Sequence, residues 1–430
     1  MENAPLRIGI VGLGTVGASV VNLLHNEAGA LAQRSPRPLQ LVAVSARDAG
    51  RSRGLDLTNI QWIEDPVALA VHPDIDVVVE LIGGMEGPAH AVVEAALAAG
   101  KSVVTANKSL LAHHGFALAQ LAEKNGATLA FEAAVAGGIP IIKALREGGA
   151  ANTIEKFYGI LNGTCNYILT TMKKTRADFN DVLAEAQHLG YAESDPSFDI
   201  DGMDTAHKLA ILSSIAFGTR VDLGAVQCEG IRGIGFEDMQ MADSLGYVIK
   251  LLGFAEKVGE ELSQRVYPCL VPKNAVIAPV DDVYNAVVFL GDYVGQVMIQ
   301  GRGAGGNPTA SAVVADLLDL ANGRASSAFG RKTENLTLAA PVAETSYEGC
   351  FYVRLMVVDK AGVVAQIASE LSKEGISIKT LTQREQKIQG AVPLVFTTHA
   401  CREVVMKRVL SHLERSDFLS AKPTMLRIEY

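Results

Sequence analysis

No run in this sequence approaches the roughly 18 consecutive apolar residues of a membrane-crossing helix, so none is expected. No block of Lys or Arg stands out either, and the formal net charge is −9. A nucleic-acid or anionic-membrane partner needs a basic surface, so neither is expected. Cysteine is scarce. Cys165, Cys228, Cys269, Cys350 and Cys401 are widely scattered, odd in number and without a CxxC pair. That suits reduced thiols rather than a disulfide framework, and the expected location is the cytoplasm. There is no repeat and no low-complexity tract. Met1-Glu-Asn-Ala-Pro5 leads directly into a strand, which leaves no stretch for a secretion signal. What the chain does have is length and apolar content. Its 430 residues suggest two or three domains, and 49% hydrophobic residues suffice for sizeable cores.

The densest cluster of charge lies in Gly190-Tyr-Ala-Glu-Ser-Asp-Pro-Ser-Phe-Asp-Ile-Asp-Gly-Met-Asp-Thr-Ala-His-Lys208. It holds five acids, Glu193, Asp195, Asp199, Asp201 and Asp204, and ends on Lys208. Leu209–Ala216 follows, apolar on nearly every side, which predicts a buried helix. Asp201 reads as its N-cap, with the helix starting near Gly202. Asp204 and Lys208 then share a face that continues inward as Ile211 and Ile215. The plain alternative is a solvated i,i+4 salt bridge, worth roughly 0.3–0.5 kcal/mol. Against it stands the mutual repulsion of so many acids, which a cleft for an ammonium-bearing substrate puts to use.

The chain opens with Leu6–Val11, a short buried strand, then Gly12-Leu-Gly14-Thr15-Val16-Gly17, then a helical stretch from Ala18. This is GxGxxG in its required setting of strand, turn and helix. Gly12 permits the turn, Gly14 lets backbone approach a pyrophosphate, and Gly17 allows close helix–strand packing. Strand and helix patterns alternate onward. Strands are expected at Gln40–Val44, Asp76–Ile82, Lys101–Thr105 and Ala127–Glu132, with helices at Ala89–Ala99 and Ser109–Asn125. That predicts an α/β fold, a Rossmann-type doubly wound parallel sheet over residues 1–132. The second strand ends Ser45-Ala-Arg47 without the acid that grips an NAD ribose. Arg47, with Arg51 and Arg53 nearby, favours NADP(H), and use of NAD(H) stays open. Thr105 and Lys108 stand at a strand's carboxyl end, where the cleft of such a sheet lies, and are expected to contact the cofactor.

From residue 133 the pattern changes. Strand-like stretches at Ile154–Leu161, Tyr247–Val258, Gln264–Val271 and Tyr284–Gln300 predict an antiparallel or mixed sheet. Residues 133–305 thus read as an inserted α+β domain for catalysis and dimerisation, and a homodimer or homotetramer is expected. Asn162 and Asn166, in a strand-to-helix turn, read either as cleft residues or as simple caps. Four glycines in Gly301-Arg-Gly303-Ala-Gly-Gly306, with Pro308 at an N1 position, form a backbone-rich loop before a helix (306–322) that returns to the first domain. Residues 323–347 read as a polar linker. In 348–430 the order βαββαβ is ferredoxin-like. Its Asp359-Lys-Ala-Gly362 turn before Val363-Val-Ala-Gln-Ile367 resembles an ACT domain. Domains of that kind bind small amino acids, which makes L-threonine the expected effector; dimerisation without a ligand is the alternative.

Together these blocks resemble homoserine dehydrogenase of the long form. The resemblance spans nearly the whole chain and is carried by Gly12–Gly17, Thr105–Lys108, Glu132–Pro140, Leu161–Tyr167, Gly190–Lys208 and Gly301–Ser311. It implies reversible, NAD(P)-linked interconversion of L-aspartate 4-semialdehyde and L-homoserine. It also implies roles: Lys208 as acid/base, Asp204 as its partner beside the substrate, Glu193 and Asp199 around the substrate amino group, and Lys108 near substrate and nicotinamide. Gly190 and Gly303 then lie along the cofactor. Glu132, Val135, Gly137 and Ile139 offer oxygens to a sodium ion, a hard cation that suits them. A lysine that must shed its proton to oxidise homoserine implies a rate rising from pH 7 towards about 10.4, the free-lysine value. Two other readings remain at this point: a different reductase of amino-acid-derived carbonyls, and an amino-acid sensor without turnover.

Overall fold

Val77-Val-Val is wholly buried, as a strand covered on both faces must be. It belongs to a six-stranded parallel sheet in the order β3-β2-β1-β4-β5-β6. The elements are β1 (Leu6–Val11), α1 (Thr15–Asn26), α2 (Ala28–Ala32), β2 (Leu39–Ser45), β3 (Gln61–Trp62), α3 (Pro66–Val71), β4 (Val77–Glu80), α4 (Pro88–Ala98), β5 (Ser102–Thr105), α5 (Lys108–Lys124) and β6 (Leu129–Ala130). The structure is a computed structural model describing residues 4–343, 346–383 and 390–429. The doubly wound sheet is as expected. The β3–α3 unit was not: α3 starts on Pro66 at its first turn, with the Asp65 carboxylate accepting from the Val67 amide at 2.9 Å.

The middle of the chain holds α6 (Ile141–Lys143), β7 (Ile154–Ile160), α7 (Gly163–Thr175), α8 (Phe179–His188), α9 (Ser197–Ile200), α10 (Met203–Phe217), β8 (Gln227–Cys228), α11 (Phe236–Ser244), β9 (Tyr247–Val258), β10 (Glu261–Pro272), β11 (Tyr284–Gly291), β12 (Gly295–Arg302) and α12 (Gly306–Ala321). Strands β12, β11, β7, β9 and β10 form an antiparallel run. The single strand expected over Tyr284–Gln300 is a hairpin. Gly295, at φ +70°, turns the chain, and the Asp292 carboxylate accepts from the Thr153 amide at 2.9 Å. Helix α12 begins at Gly306, so Pro308 falls at the third helical position rather than N1. A proline loses nothing there, because the first four helical amides have no partner inside the helix. Helix α12 then packs against α1, back on the first domain.

The tail comprises β13 (Ala340–Pro341), β14 (Glu348–Val357), α13 (Val363–Lys373), β15 (Ile378–Gln383), β16 (Val392–Thr398), β17 (Cys401–Arg402), α14 (Glu403–Leu413) and β18 (Thr424–Ile428). Its order, β18-β14-β16-β15, is ferredoxin-like. Strand β18 pairs in parallel with β10, so the tail sheet continues the catalytic one. Residues 329–341, ahead of β14, form a packed strap. Phe329 is buried beside Phe131, Thr333 donates to Glu123 at 2.6 Å, and β13 pairs with β10. Among the described residues no helix is long and apolar enough to cross a membrane.

Arg427 locks this junction. Its guanidinium binds Glu403 at 2.9 and 2.5 Å and Glu229 at 3.0 and 2.9 Å, and lies 4.3 Å over the Tyr267 ring. Burial works against its charge, but both carboxylates outweigh that and hold it charged. Arg427→Met takes two charge-assisted hydrogen bonds from the Glu403 carboxylate, which is 2% exposed, and leaves it the half-exposed Lys407 ammonium at 2.8 Å. The expected loss of stability is about 3 kcal/mol or more. A urea midpoint that barely moves would show the pair to be dispensable.

Candidate active site

Helix α10 has no hydrophilic side to show to water, and Asp204 through Ala216 are all buried. Gly253, on β9, faces it so closely that an added Cβ would lie 3.2 Å from Thr205 and 3.3 Å from Leu209. Asp204 and Lys208, one turn apart at its start, are carried inward with it. Lys208 Nζ donates to Asp204 Oδ2 and to the Leu161 carbonyl, both at 2.7 Å. The other oxygen, Asp204 Oδ1, lies 3.1 Å from Lys108 Nζ. Asn162 Nδ2 donates to Asp204 Oδ2 and to Asp199 Oδ1, both at 2.8 Å. Burial pushes the Asp204 carboxyl up, but Lys208 and Lys108 outweigh it and hold it well below the usual carboxylate range. Asp199 goes the other way, pushed up by burial and by Asp204. Phe198 and His207 line the rim with rings 5.2 Å apart, and Lys108 Nζ lies 5.7 Å over Phe198. Burial, helped by His113, pushes His207 down to about 4.

Not every acid of the dense stretch joins this cluster. Asp201 does not cap α10. Gly202, at φ +88°, occupies that position, and a Cβ there would meet Cys228 Sγ at 2.8 Å. The Asp201 carboxylate binds Arg232 instead, at 2.5 and 3.0 Å. Asp195 closes its own turn by accepting from the Ser197 amide. Glu193 is exposed, its carbonyl taking the Gln187 side chain. Gly190, also exposed, has φ +76°.

The sheet's carboxyl end meets this cluster through Lys108, the first residue of α5. Asn107 caps α5 by accepting from the Leu110 amide at 3.0 Å, and also donates to the Gly84 carbonyl. Thr105 is wholly buried, and its hydroxyl donates to Glu80 at 2.6 Å rather than facing the cleft. Glu80 also accepts from the Ile82 and Gly83 amides, so Thr105 helps fix the loop after β4.

The glycine turn fits a dinucleotide. A Cβ on Gly12 would lie 2.5 Å from the Leu81 carbonyl oxygen, and one on Gly17 would lie 2.0 Å from that of Gly12. Gly14 differs: nothing lies within 4 Å of its would-be Cβ. The bare face at Gly14, Thr15 and Val16 opens onto the start of α1, which has no side-chain cap. Free amides there suit a phosphate. Arg47 and Arg51 are exposed beyond β2, whereas Arg53 is anchored to the Leu13 carbonyl at 3.3 Å and over Trp62. The Gly303–Gly306 loop reaches both parts. A Cβ on Gly306 would meet Ser19 at 2.5 Å, and one on Gly137 would meet the Gly303 carbonyl at 2.5 Å.

The turn at Glu132–Ile139 has left-handed backbone at Ala136, φ +57°, and Gly137, φ +49°. The buried Glu132 carboxylate accepts from the Ile142 and Lys143 amides, both at 2.9 Å. Burial and neighbouring Asp316 push it up to about 7. The Ile139 carbonyl accepts from the Ile141 amide at 2.8 Å. Among the described residues no group of three or more His, Cys, Asp or Glu is arranged for a metal.

The Leu161 carbonyl, Glu80 and Asn107 are site residues that the sequence did not single out as such, and Asn162 was left open between a cleft residue and a cap. Their one signal was position: each ends a strand or precedes a helix.

Comparison with known proteins is consistent throughout. The family model "Homoserine dehydrogenase, NAD binding domain" matches residues 12–132, "Homoserine dehydrogenase" matches 140–318, and "ACT domain" matches 351–417. The homoserine dehydrogenase of Pseudomonas aeruginosa is 43% identical over 99% of this chain and 99% of its own. That of Helicobacter pylori is 40% identical, with the same coverage of both. A homoserine dehydrogenase structure from Thiobacillus denitrificans gives a TM-score of 0.93 at 40% identity, covering 100% of this chain and 99% of that one. A hyperthermophilic archaeal homoserine dehydrogenase in complex with NADPH gives 0.63 at 28% identity, covering 73% of this chain and 97% of that one. The chain belongs to the homoserine dehydrogenase family, in the form that ends in an ACT domain.

Proposed function

We propose that this member of the family interconverts L-aspartate 4-semialdehyde and L-homoserine at the Asp204–Lys208 cluster. The observation that carries the reading is the ion triad Lys108–Asp204–Lys208, which joins the carboxyl end of the parallel sheet to a buried helix. When bound, the nicotinamide cofactor supplies or receives the hydride. Lys208, held by Asp204 and the Leu161 carbonyl, stabilises negative charge developing on the carbonyl oxygen and donates a proton to it. In the oxidative direction it takes that proton back. Asp199 and Glu193 take the substrate amino group, and Lys108 stands between substrate and nicotinamide. Gly12, Gly14, Thr15, Val16 and Gly17 hold the pyrophosphate, Thr105 braces the neighbouring loop, and Gly190 and Gly303 follow the cofactor.

The test is NADPH consumption with L-aspartate 4-semialdehyde, repeated with NADH. No consumption with either cofactor ends the proposal.

NADP(H) is the preferred cofactor in this reading, supported by exposed Arg47 and Arg51 at the end of β2. Arg47→Asp then weakens NADPH about tenfold and NADH far less. Equal losses in a parallel titration would remove the argument. A sodium ion at Glu132, Val135, Gly137 and Ile139 is supported by the left-handed pair at 136–137 and by a carboxylate left with spare lone pairs. L-threonine is the proposed effector at the ACT domain. Added threonine should change the rate or raise the thermal midpoint, and no change in either leaves that domain an assembly module only. A homodimer or homotetramer is supported by half-buried Tyr158 and Phe254, stacked on the sheet face opposite α10. Five free cysteines support the cytoplasm as its location.

A further inference from the structure

Asn162 stands between β7 and α7, is 4% exposed, and commits its one side chain to three hydrogen bonds. Oδ1 accepts from the Cys165 amide at 2.7 Å and so caps α7. Nδ2 donates to Asp199 Oδ1 and Asp204 Oδ2, both at 2.8 Å. A primary amide has two N–H donors, and here each serves a different carboxylate. The preceding residue completes the clasp, since Leu161 offers its carbonyl to Lys208.

We propose that Asn162 is a positioning residue of this reaction. It fixes Asp199 and Asp204 relative to one another. Asp204 thereby keeps its hold on Lys208, and the second Asp199 oxygen is left for the substrate's ammonium group. The proposal rests on the reading of Lys208 as the proton donor. The charges around the two carboxylates come from several elements. Lys108 stands on α5, Lys208 on α10, Asp201 at the end of α9, and the Cys165 thiol of α7 donates to the Asp199 backbone carbonyl at 3.2 Å. Of the two carboxylates, Lys108 and Lys208 bind that of Asp204, while Asn162 ties Asp204 to Asp199. Without that tie the two acids repel, and Asp199 turns away or keeps a proton to higher pH. Burial and Asp204 already push the Asp199 carboxyl up, and the Asn162 amide draws it back.

Helix capping and carboxylate positioning can be separated. Aspartate and serine cap helices about as well as asparagine. Asn162→Asp and Asn162→Ser therefore keep the cap, but neither offers two N–H donors. If Asn162 were only a cap, both variants would work normally. As a positioning residue, its loss lowers kcat/KM for homoserine about 10²-fold, the scale of a misplacement near 1 Å. NADPH affinity, read by fluorescence titration, stays unchanged. In Asn162→Ser the acid limb of kcat/KM for L-aspartate 4-semialdehyde, the direction in which Lys208 starts protonated, moves to higher pH as Asp199 loses the amide that holds its carboxylate. Should Asn162→Asp fail to fold because it adds a third carboxylate, Asn162→Ser decides alone. Activity within about threefold of the parent and an unmoved pH profile overturn the proposal. Lys208→Ala, assayed alongside, keeps the two failures apart. Retained turnover there defeats the proton-donor reading itself. Lost turnover there, with normal Asn162 variants, defeats only the positioning role.

Discussion

Lys208→Ala should lower turnover about 10²–10⁴-fold, the range of a lost general acid, with NADPH affinity nearly unchanged. The split follows from where Nζ sits. Its contacts are Asp204 Oδ2 and the Leu161 carbonyl, both on the catalytic side and neither in the glycine turn. Alanine removes a proton donor without moving the backbone that would hold the cofactor. Asp204 keeps Lys108 and Asn162 as partners, so the site is not left with a bare buried charge. Lys208→Arg should not rescue. A guanidinium is effectively always protonated, so it cannot take the homoserine proton. Should Lys208→Ala keep its turnover, the proton role passes to another group, with Lys108 first in line because it touches the same carboxylate.

Gly14→Ala should weaken NADPH about 100-fold, a loss of about 2.7 kcal/mol, while the protein keeps its stability to within about 1 kcal/mol. Backbone at φ −76° and ψ −161° is open to any L-residue, and nothing lies within 4 Å of the added methyl. Its cost appears only when a pyrophosphate must approach that backbone. Gly17→Ala makes the control. There the methyl lies 2.0 Å from the Gly12 carbonyl oxygen, so strand and helix must part and stability falls together with binding. If Gly14→Ala binds NADPH normally, the phosphates lie elsewhere.

The glycine turn was legible in the sequence because its constraints are local. A strand, a tight turn and a helix within a dozen residues leave few alternatives to Gly12 and Gly17. The Asp204–Lys208 pair was legible for a similar reason, since four residues make one helical turn. Asn162 was not, because its partners Asp199 and Asp204 lie 37 and 42 positions away. Nothing near Asn162 distinguishes a clamp from a cap, and it is both. The acids misled in the opposite sense. Asp201 looked like part of an ammonium cleft, but its partner Arg232 lies 31 positions further on, outside any local pattern. Thr105 stood at the right strand end, yet its hydroxyl turns back to Glu80, a partner 25 positions earlier. Short-range geometry was readable. Pairings between distant segments had to await the fold.

On this mechanism the substrate oxygen gains its proton from the Lys208 ammonium and, in the reverse direction, gives it up to the Lys208 amine. A crystal structure with L-homoserine and NADP+ bound tests it most directly. The expected result puts the homoserine hydroxyl oxygen about 3 Å from Lys208 Nζ, with the amino group against Asp199. Homoserine seated elsewhere, with Nζ still bonded only to Asp204 and the Leu161 carbonyl, would contradict it.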